Sequence, residues 1–185
     1  MQGTSNEKST EYNGINDRIV QSALDGDEKS FRFLVEFYKG FVYSIAYRFV
    51  FNKEDAEDIS QDVFIKLWKN RKKIKDHRKL NTYLYKIVVN RCLNYKRKRI
   101  RKVQLDENIE SASDPVVHYE KKHKKEEIVN ALMKLKKHER IILLLHVVGE
   151  KSQKEIGEIM GKSRKSIELI IYRARKKLKE YIKRS

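Results

Sequence analysis

Three aspartates are spaced so that one face of a helix would present their carboxylates together. Asp55, Asp58 and Asp62 stand at positions i, i+3 and i+7 of a stretch whose apolar residues repeat with helical periodicity. Carboxylates grouped in this way could ligate a divalent cation, as in a metal-dependent nuclease, or could bind a basic protein surface. One helix face rarely surrounds a metal ion alone, and no matching acids stand in another predicted element. We therefore favour a surface that binds a basic protein partner.

A second kind of chemistry is carried by residues 81–102, where aromatic side chains lead into a dense run of cations. Leu84, Val88 and Cys92 repeat at i, i+4 and i+8, which predicts a helix with one apolar side. The segment from Arg91 to Lys102 is rich in lysine and arginine and contains no acid. Aromatic rings stack on bases and cations neutralise phosphates, so this stretch predicts a nucleic-acid strand as its partner.

Other site chemistries find little support in the chain. The histidines lack metal-ligand spacing, and no phosphate-cradling glycine loop or nucleophile motif is present. The single cysteine, Cys92, excludes an intramolecular disulfide and is predicted to be a packed small side chain. We expect that the protein is not an enzyme and has no catalytic residue, no metal site and no cofactor.

Composition points to an anionic partner and a helical fold. The 185 residues include 43 lysines and arginines against 26 aspartates and glutamates, a net charge of +17 that suits nucleic acid. One proline, seven glycines and no strand-like alternation predict an all-α protein. The polar N-terminus lacks the apolar core of a signal peptide, and Phe41–Phe51 is too short to span a bilayer. We expect a cytoplasmic protein without membrane insertion.

The helices are expected to form two small domains joined by a flexible acidic linker. Residues 1–14 are predicted to be disordered, and residues 15–102 to form the first domain. Within it, Asn52 is predicted to cap the helix that carries the aspartates, with Asp55 at the capping-box position. Residues 103–122 form the linker, which is acidic and contains the only proline. Residues 123–185 form the second domain.

The second domain carries the pattern of a helix-turn-helix over residues 152–172. Ser152 is predicted to cap its first helix, with Glu155 at the capping-box position. The small Gly157 would let the two helices touch, and Gly161 would permit the turn. Ile167 and Ile170 would hold the second helix on the first. The side chains expected on the other side of the second helix, facing a DNA major groove and its phosphates, are Arg164, Lys165, Glu168, Leu169, Tyr172 and Arg173.

Four motifs in this order resemble the extracytoplasmic-function (ECF) group of sigma factors, the compact branch of the sigma-70 family. They are Asp25-Gly26-Asp27 with Phe31; the run DAEDISQDVF at 55–64 with Trp68; TYLYKI at 82–87 with Asn90-Arg91; and residues 152–178 with YRAR at 172–175. The resemblance runs from about Ile15 to Lys183. It implies a protein that binds core RNA polymerase and directs transcription from promoters.

The resemblance also implies roles for particular residues. The contacts to the clamp helices of the largest polymerase subunit would come from Asp55, Asp58, Gln61 and Asp62. The −10 element would be captured and melted by Asp76, His77, Arg78, Asn81, Asn90, Arg91, Lys96 and Arg97. The helix-turn-helix would read the −35 element, and the flap region of polymerase and an anti-sigma factor are further implied partners. Leu169 departs from the family pattern, because it is apolar where the family often has a polar residue, and it would contact a thymine methyl group instead of reading a base by hydrogen bonds.

One alternative class stays open at this point. The second domain alone would also suit a helix-turn-helix regulator that binds duplex DNA without polymerase. Such a regulator leaves the acidic helix and the aromatic-basic stretch unexplained. It should not bind non-template single strands with sequence preference, whereas a sigma factor should.

Overall fold

A computed structural model describes residues 11–12, 15–95 and 126–183, and helices make up nearly all of these ranges. The predicted all-α fold is confirmed. The helices of the first domain are α1 (Asp17–Asp25), α2 (Glu28–Val50), α3 (Lys53–Asn70) and α4 (Leu80–Asn94). The helices of the second domain are α5 (126–134), α6 (Lys137–Val147), α7 (Gln153–Met160) and α8 (Arg164–Lys183). The predicted linker at 103–122 lies outside the described residues.

Polar side chains fix where the helices of the first domain begin. The Asp27 carboxylate accepts a hydrogen bond from Ser30 N at 2.7 Å, at the start of α2. The predicted cap of α3 is confirmed, because Asn52 Oδ1 accepts from Asp55 N at 2.8 Å. The Asp55 carboxylate does not complete a capping box with Asn52; it accepts a hydrogen bond from the Tyr95 hydroxyl instead. One member of the acidic group is thereby tied to the end of α4.

The N-terminal boundary differs from the expectation. Residues 1–14 are predicted to be disordered, but Glu11–Tyr12 within them pairs antiparallel with the extended segment Ile15–Asn16. Helix α1 begins at Asp17 because Asn16 Oδ1 accepts from Arg18 N at 2.8 Å and caps it. Disorder over 1–14 stays a prediction for residues 1–10 and 13–14, which lie outside the described residues.

The helix-turn-helix of the second domain forms as its motif predicts. Ser152 and Glu155 make the reciprocal capping box, with the Glu155 carboxylate 2.9 Å from Ser152 N. Gly161 ends α7 at a φ of 64°, in the left-handed region that favours glycine. Ile167 is fully buried and Ile170 is half-buried against the same core, as predicted. Ile171, which was not predicted, is also buried.

A continuous apolar core runs through both domains. Leu34, Phe49 and Leu84 of the first domain belong to the same cluster of buried side chains as Ile142 and Ile156 of the second. Helix α6 packs on α2 and α4, and α7 packs on α4. No described helix is long and apolar enough to cross a membrane.

Candidate nucleic-acid and partner-protein interfaces

The acidic surface consists of Asp55, Asp58, Gln61 and Asp62 on α3. Asp58, Gln61 and Asp62 are exposed and Asp55 is half-buried. Successive turns of the same helix bury Ile59, Val63 and Leu67, and this burial fixes which face of α3 is turned outward. The three aspartates line a shallow depression of about 240 Å³ together with residues from the end of α4. The predicted spacing therefore does bring the carboxylates together.

Arg91 lies beside the acidic surface. Its Nη1 is 3.3 Å from Asp62 Oδ2, and the two side chains are 37% and 54% exposed. Arg91 was expected to follow a DNA strand, but the structure pairs it with Asp62 of the acidic surface. The Tyr95 hydroxyl donates to Asp55. Within the described residues, Asp58 is therefore the aspartate of this surface that makes no ion pair and no side-chain hydrogen bond.

A lysine-rich pocket lies beside the turn that precedes α4. This strand pocket has a volume of about 510 Å³. Its lining residues are Lys73, Ile74, Lys75, Asp76, Lys79, Thr82, Tyr83, Lys86 and Glu158. Four ammonium groups around an aromatic ring and a buried isoleucine suit a nucleotide, because the cations attract phosphate and the apolar atoms accept a base.

Asp76 organises the turn at the mouth of this pocket. Its Oδ1 accepts from Arg78 N at 3.1 Å and from Arg78 Nε at 3.0 Å, which fixes the short 3₁₀ turn His77–Lys79. The hydrogen bond from the Arg78 side chain lowers the pKa of Asp76 below its ordinary value. The carboxylate is therefore ionised at neutral pH and orients Arg78, whose side chain is 70% exposed.

The other residues expected to capture a base do not lie together in one site. His77 Nε2 is 3.4 Å from Asp17 Oδ2, so His77 joins the turn to the start of α1. Asn81 Oδ1 is buried and has no hydrogen-bond partner within the described residues. Neither side chain lines the strand pocket. Asn90 is exposed on α4, and Lys96 and Arg97 lie outside the described residues.

Most of the cations of the strand pocket were missed by sequence reasoning. A signal for part of the set exists, because Lys79, Thr82, Tyr83 and Lys86 stand at i, i+3, i+4 and i+7 and so share one side of the helix start. Lys73 and Lys75 come from the preceding turn and had no periodic signal. Tyr83 both packs against the core and lines the pocket.

The recognition face of α8 is the set of six side chains predicted to contact the −35 element. All six are exposed: Arg164, Lys165, Glu168, Leu169, Tyr172 and Arg173. Leu169 is 46% and Tyr172 66% exposed, so both side chains are accessible to a partner. Of the cations further along α8, Lys177 is instead engaged within the domain, with its Nζ 2.6 Å from Glu139 Oε1.

Comparisons with known proteins agree with this layout. Two family models match, Sigma-70 region 2 over residues 34–102 and Sigma-70 region 4 over residues 125–178. The chain is 27% identical over 180 residues to the ECF RNA polymerase sigma factor SigW of Bacillus subtilis, covering 89% of this chain and 95% of SigW. It is 30% identical over 175 residues to Bacteriocin UviA of Clostridium perfringens, covering 85% of this chain and 94% of that protein.

Two solved structures share the fold. CnrH, in complex with the cytosolic domain of CnrY, gives a TM-score of 0.70 at 24% identity over 91% of this chain and 97% of CnrH. The sigma factor RpoE of Bartonella quintana, in complex with the anti-sigma factor NepR, gives a TM-score of 0.67 at 20% identity over 84% of this chain and 98% of RpoE. The two matched regions fall on the two helical domains, and the chain belongs to the sigma-70 family as an RNA polymerase sigma factor of the ECF group.

Proposed function

We propose that each of the three surfaces described above binds a different partner of a sigma factor. The acidic surface binds the clamp helices of the largest polymerase subunit, the strand pocket holds the non-template strand of the −10 element, and the recognition face binds the −35 element. A sigma factor contributes recruitment and strand capture rather than catalysis, so none of these residues needs to react. The observation that carries this proposal is the separation of an acidic surface from a lysine-rich pocket within one basic domain.

Charge explains why the acidic surface suits a protein rather than DNA. Phosphates repel carboxylates, so Asp58 and Asp62 would weaken any strand laid across α3. A basic helix pair from another protein would gain favourable interactions with the same groups. Arg91 and Tyr95, at the end of α4, already hold two of the aspartate side chains in place. Binding a partner therefore costs less side-chain conformational entropy at these two aspartates.

The strand pocket explains how a single strand, rather than a duplex, is held. Extruding a base costs a few kcal/mol, which binding must offset. Lys79 and Lys86 can neutralise the phosphates on either side of that base, and Tyr83 presents a ring against which a base can stack. The buried, unpartnered Asn81 Oδ1 next to the turn is an acceptor that a base amino group would satisfy once the loop adjusts.

The remaining partners and the cellular location follow from this function. CnrH and RpoE were solved with CnrY and with the anti-sigma factor NepR, and an anti-sigma factor is proposed as a partner of this chain too. The second domain also contacts the flap region of polymerase. The protein works in the cytoplasm, where core polymerase and the chromosome are found.

The polymerase contact is tested by reversing one charge. Asp58→Lys should weaken binding to core RNA polymerase at least about tenfold, because like charges brought together at an interface cost several kcal/mol. Glu57→Lys is the matched control, since Glu57 is exposed on the same helix but does not line the acidic depression. Binding would be measured by fluorescence anisotropy of labelled sigma factor. Equal losses in both variants would show a net-charge effect and refute the assigned surface.

A further inference from the structure

Helix α1 packs against the segment that leads from α3 to the strand pocket. We call residues 71–79 the capture loop. Both of its 3₁₀ turns, Arg71–Lys73 and His77–Lys79, contact α1, and Ile74 between them is buried. The side chains that line the strand pocket include none from α1. Helix α1 can therefore affect a bound strand only through the position that it gives to the capture loop.

An acidic residue at the N-terminal end of α1 reaches the second turn of the capture loop. His77 Nε2 lies 3.4 Å from Asp17 Oδ2, and the two side chains are only 29% and 24% exposed. The helix dipole favours an aspartate in the first turn even when its carboxylate points to solvent. It does not explain why Asp17 Oδ1 is buried without a hydrogen-bond partner in the part of the chain that the structure describes, because such burial costs free energy. The contact with His77 accounts for the inward position of this carboxylate.

The C-terminal end of α1 meets the first turn of the capture loop. The backbone of Gly26, the residue after α1, leaves room for a guanidinium, because a Cβ atom there would lie 3.2 Å from Arg71 Nη2. Arg71 is held in this place by Trp68: its Cζ lies 3.8 Å from the centre of the indole ring, and its Nη1 donates to the Trp68 carbonyl at 2.8 Å. The two ends of α1 thus contact the two ends of the capture loop.

We infer that α1 positions the capture loop for strand binding, with Asp17 as the positioning residue and His77 as its partner. This inference rests on the function proposed for the strand pocket. His77 then holds the loop instead of contacting a base. The neighbouring Arg78, oriented by Asp76 and 70% exposed, is the side chain of this turn that meets the DNA. A loop that is already held in place loses less conformational entropy when the strand binds.

Hydrogen exchange measured by mass spectrometry tests the support of the loop without any DNA. Asp17→Ala should speed amide exchange over residues 72–79 and leave exchange in α6 unchanged, because the loop loses an anchor and the core does not. Asp17→Asn keeps an oxygen that can accept a hydrogen bond from His77 and should stay close to wild type. Glu28→Ala is the matched control, since it removes an exposed acid from the first residue of α2, the position that Asp17 has in α1. Unchanged exchange over 72–79 in Asp17→Ala, or equal acceleration by Glu28→Ala, would overturn the inference.

Strand binding tests what this support contributes. Asp17→Ala should bind a fluorescein-labelled single strand that contains all four bases about two- to tenfold more weakly. Long-range electrostatics predicts the opposite sign, because the loss of an acid raises the positive potential that attracts phosphates. Glu28→Ala should therefore bind as tightly as wild type or slightly more tightly. The salt dependence of Asp17→Ala should match that of wild type, since no phosphate contact is lost, and tighter binding by this variant would contradict the positioning role.

A double-mutant cycle separates a histidine that supports the loop from one that reads a base. If His77 acts through Asp17, His77→Ala should weaken strand binding in the wild-type background and cause little further loss in the Asp17→Ala background. Full additivity of the two losses would show that His77 contacts the strand independently of Asp17, and it would refute the role assigned to this pair.

Failure of this inference can be told apart from failure of the proposed function. A wild-type protein that binds no single strand even at low salt would refute the strand pocket and, with it, the positioning role of α1. Normal strand binding by wild type, with unchanged exchange and unchanged affinity in Asp17→Ala, would refute the role of α1 and leave the strand pocket in place.

Discussion

Within the acidic surface, the aspartates differ in how far neighbouring side chains already satisfy them. Asp62 faces Arg91 at 3.3 Å and Asp55 accepts a hydrogen bond from Tyr95, whereas Asp58 projects into solvent. A partner that binds Asp58 displaces only water, while one that binds Asp62 competes with Arg91. Asp58 is therefore the residue at which a substitution reports most directly on partner binding.

Gly157 is the residue on which the close contact of the turn depends. A Cβ atom there would lie 2.6 Å from the backbone oxygen of Lys162. Gly157→Ala should therefore destabilise the protein by about 1–3 kcal/mol, because the backbone of the turn must move. Gly40→Ala is the control: nothing lies within 4 Å of its Cβ position on α2, so alanine should stabilise by about 0.5–1 kcal/mol. Urea denaturation followed by circular dichroism measures both, and a neutral Gly157→Ala would disprove the close contact.

Cys92 reports on the integrity of the core of the first domain. The thiol is fully buried, and burial raises its pKa to about 12. At pH about 8 the native thiol should therefore not react with a disulfide reagent, whereas the unfolded chain, with an ordinary cysteine pKa, should react within minutes. The absorbance of the released thiolate measures this rate. Rapid reaction of folded protein would show that α4 does not pack as described.

At the scale of the element, α4 and the turn before it form the proposed strand-binding unit. Lys79→Ala combined with Lys86→Ala should lower the salt dependence of single-strand binding by about 1.4 in logarithmic slope, since each phosphate contact contributes about 0.7. Lys29→Ala combined with Lys53→Ala removes two exposed lysines outside the pocket and should leave the slope nearly unchanged. Titrations of labelled oligonucleotide at several salt concentrations give the slopes. Equal slopes for the two double variants would contradict phosphate binding by the lysines of the pocket.

Helix α7 depends on a charge at its N-terminus. Hydrogen bonds from the Ser152 hydroxyl, and then from the Ser152 backbone N–H, lower the pKa of Glu155 below its ordinary value of 4.5. Because the folded pKa lies below the unfolded one, this stabilisation is present above pH 4.5 and is lost as the pH falls through the folded pKa. Glu155→Gln keeps the capping geometry but not the charge. The advantage of wild type over this variant, measured as the difference in urea midpoint, should shrink on acidification below that pH; a constant difference would contradict the assignment.

The helix starts and the helix-turn-helix were predictable because their signals are local. Asn52 and Ser152 each accept from a backbone N–H three residues away, and Gly161 needs only its own backbone conformation. The placement of Arg91 was not predictable in this way. In the sequence, Arg91 begins a run of basic residues. Only the packing of α3 against α4 places its side chain beside Asp62.

At the scale of the whole molecule, the contact between the domains had no sequence signal. Arg140 and Phe49 are 91 residues apart, and a single arginine in an apolar helix gives no indication of a carbonyl partner in another domain. The strand pocket is likewise assembled from the turn before α4, from α4 itself and from Glu158 of α7. Sequence reasoning found the family, the helices and the acidic surface, but side-chain sets assembled across elements required the three-dimensional arrangement.

The central claim is that α3 places the protein on polymerase so that the strand pocket can hold an opened promoter. Run-off transcription with purified core polymerase on fragmented genomic DNA, with transcript starts mapped, tests it most directly. The account predicts a defined set of starts that requires the sigma factor, is kept by Glu57→Lys and is lost or strongly reduced with Asp58→Lys. No sigma-dependent start with wild-type protein, or equal transcription by the two variants, would contradict it.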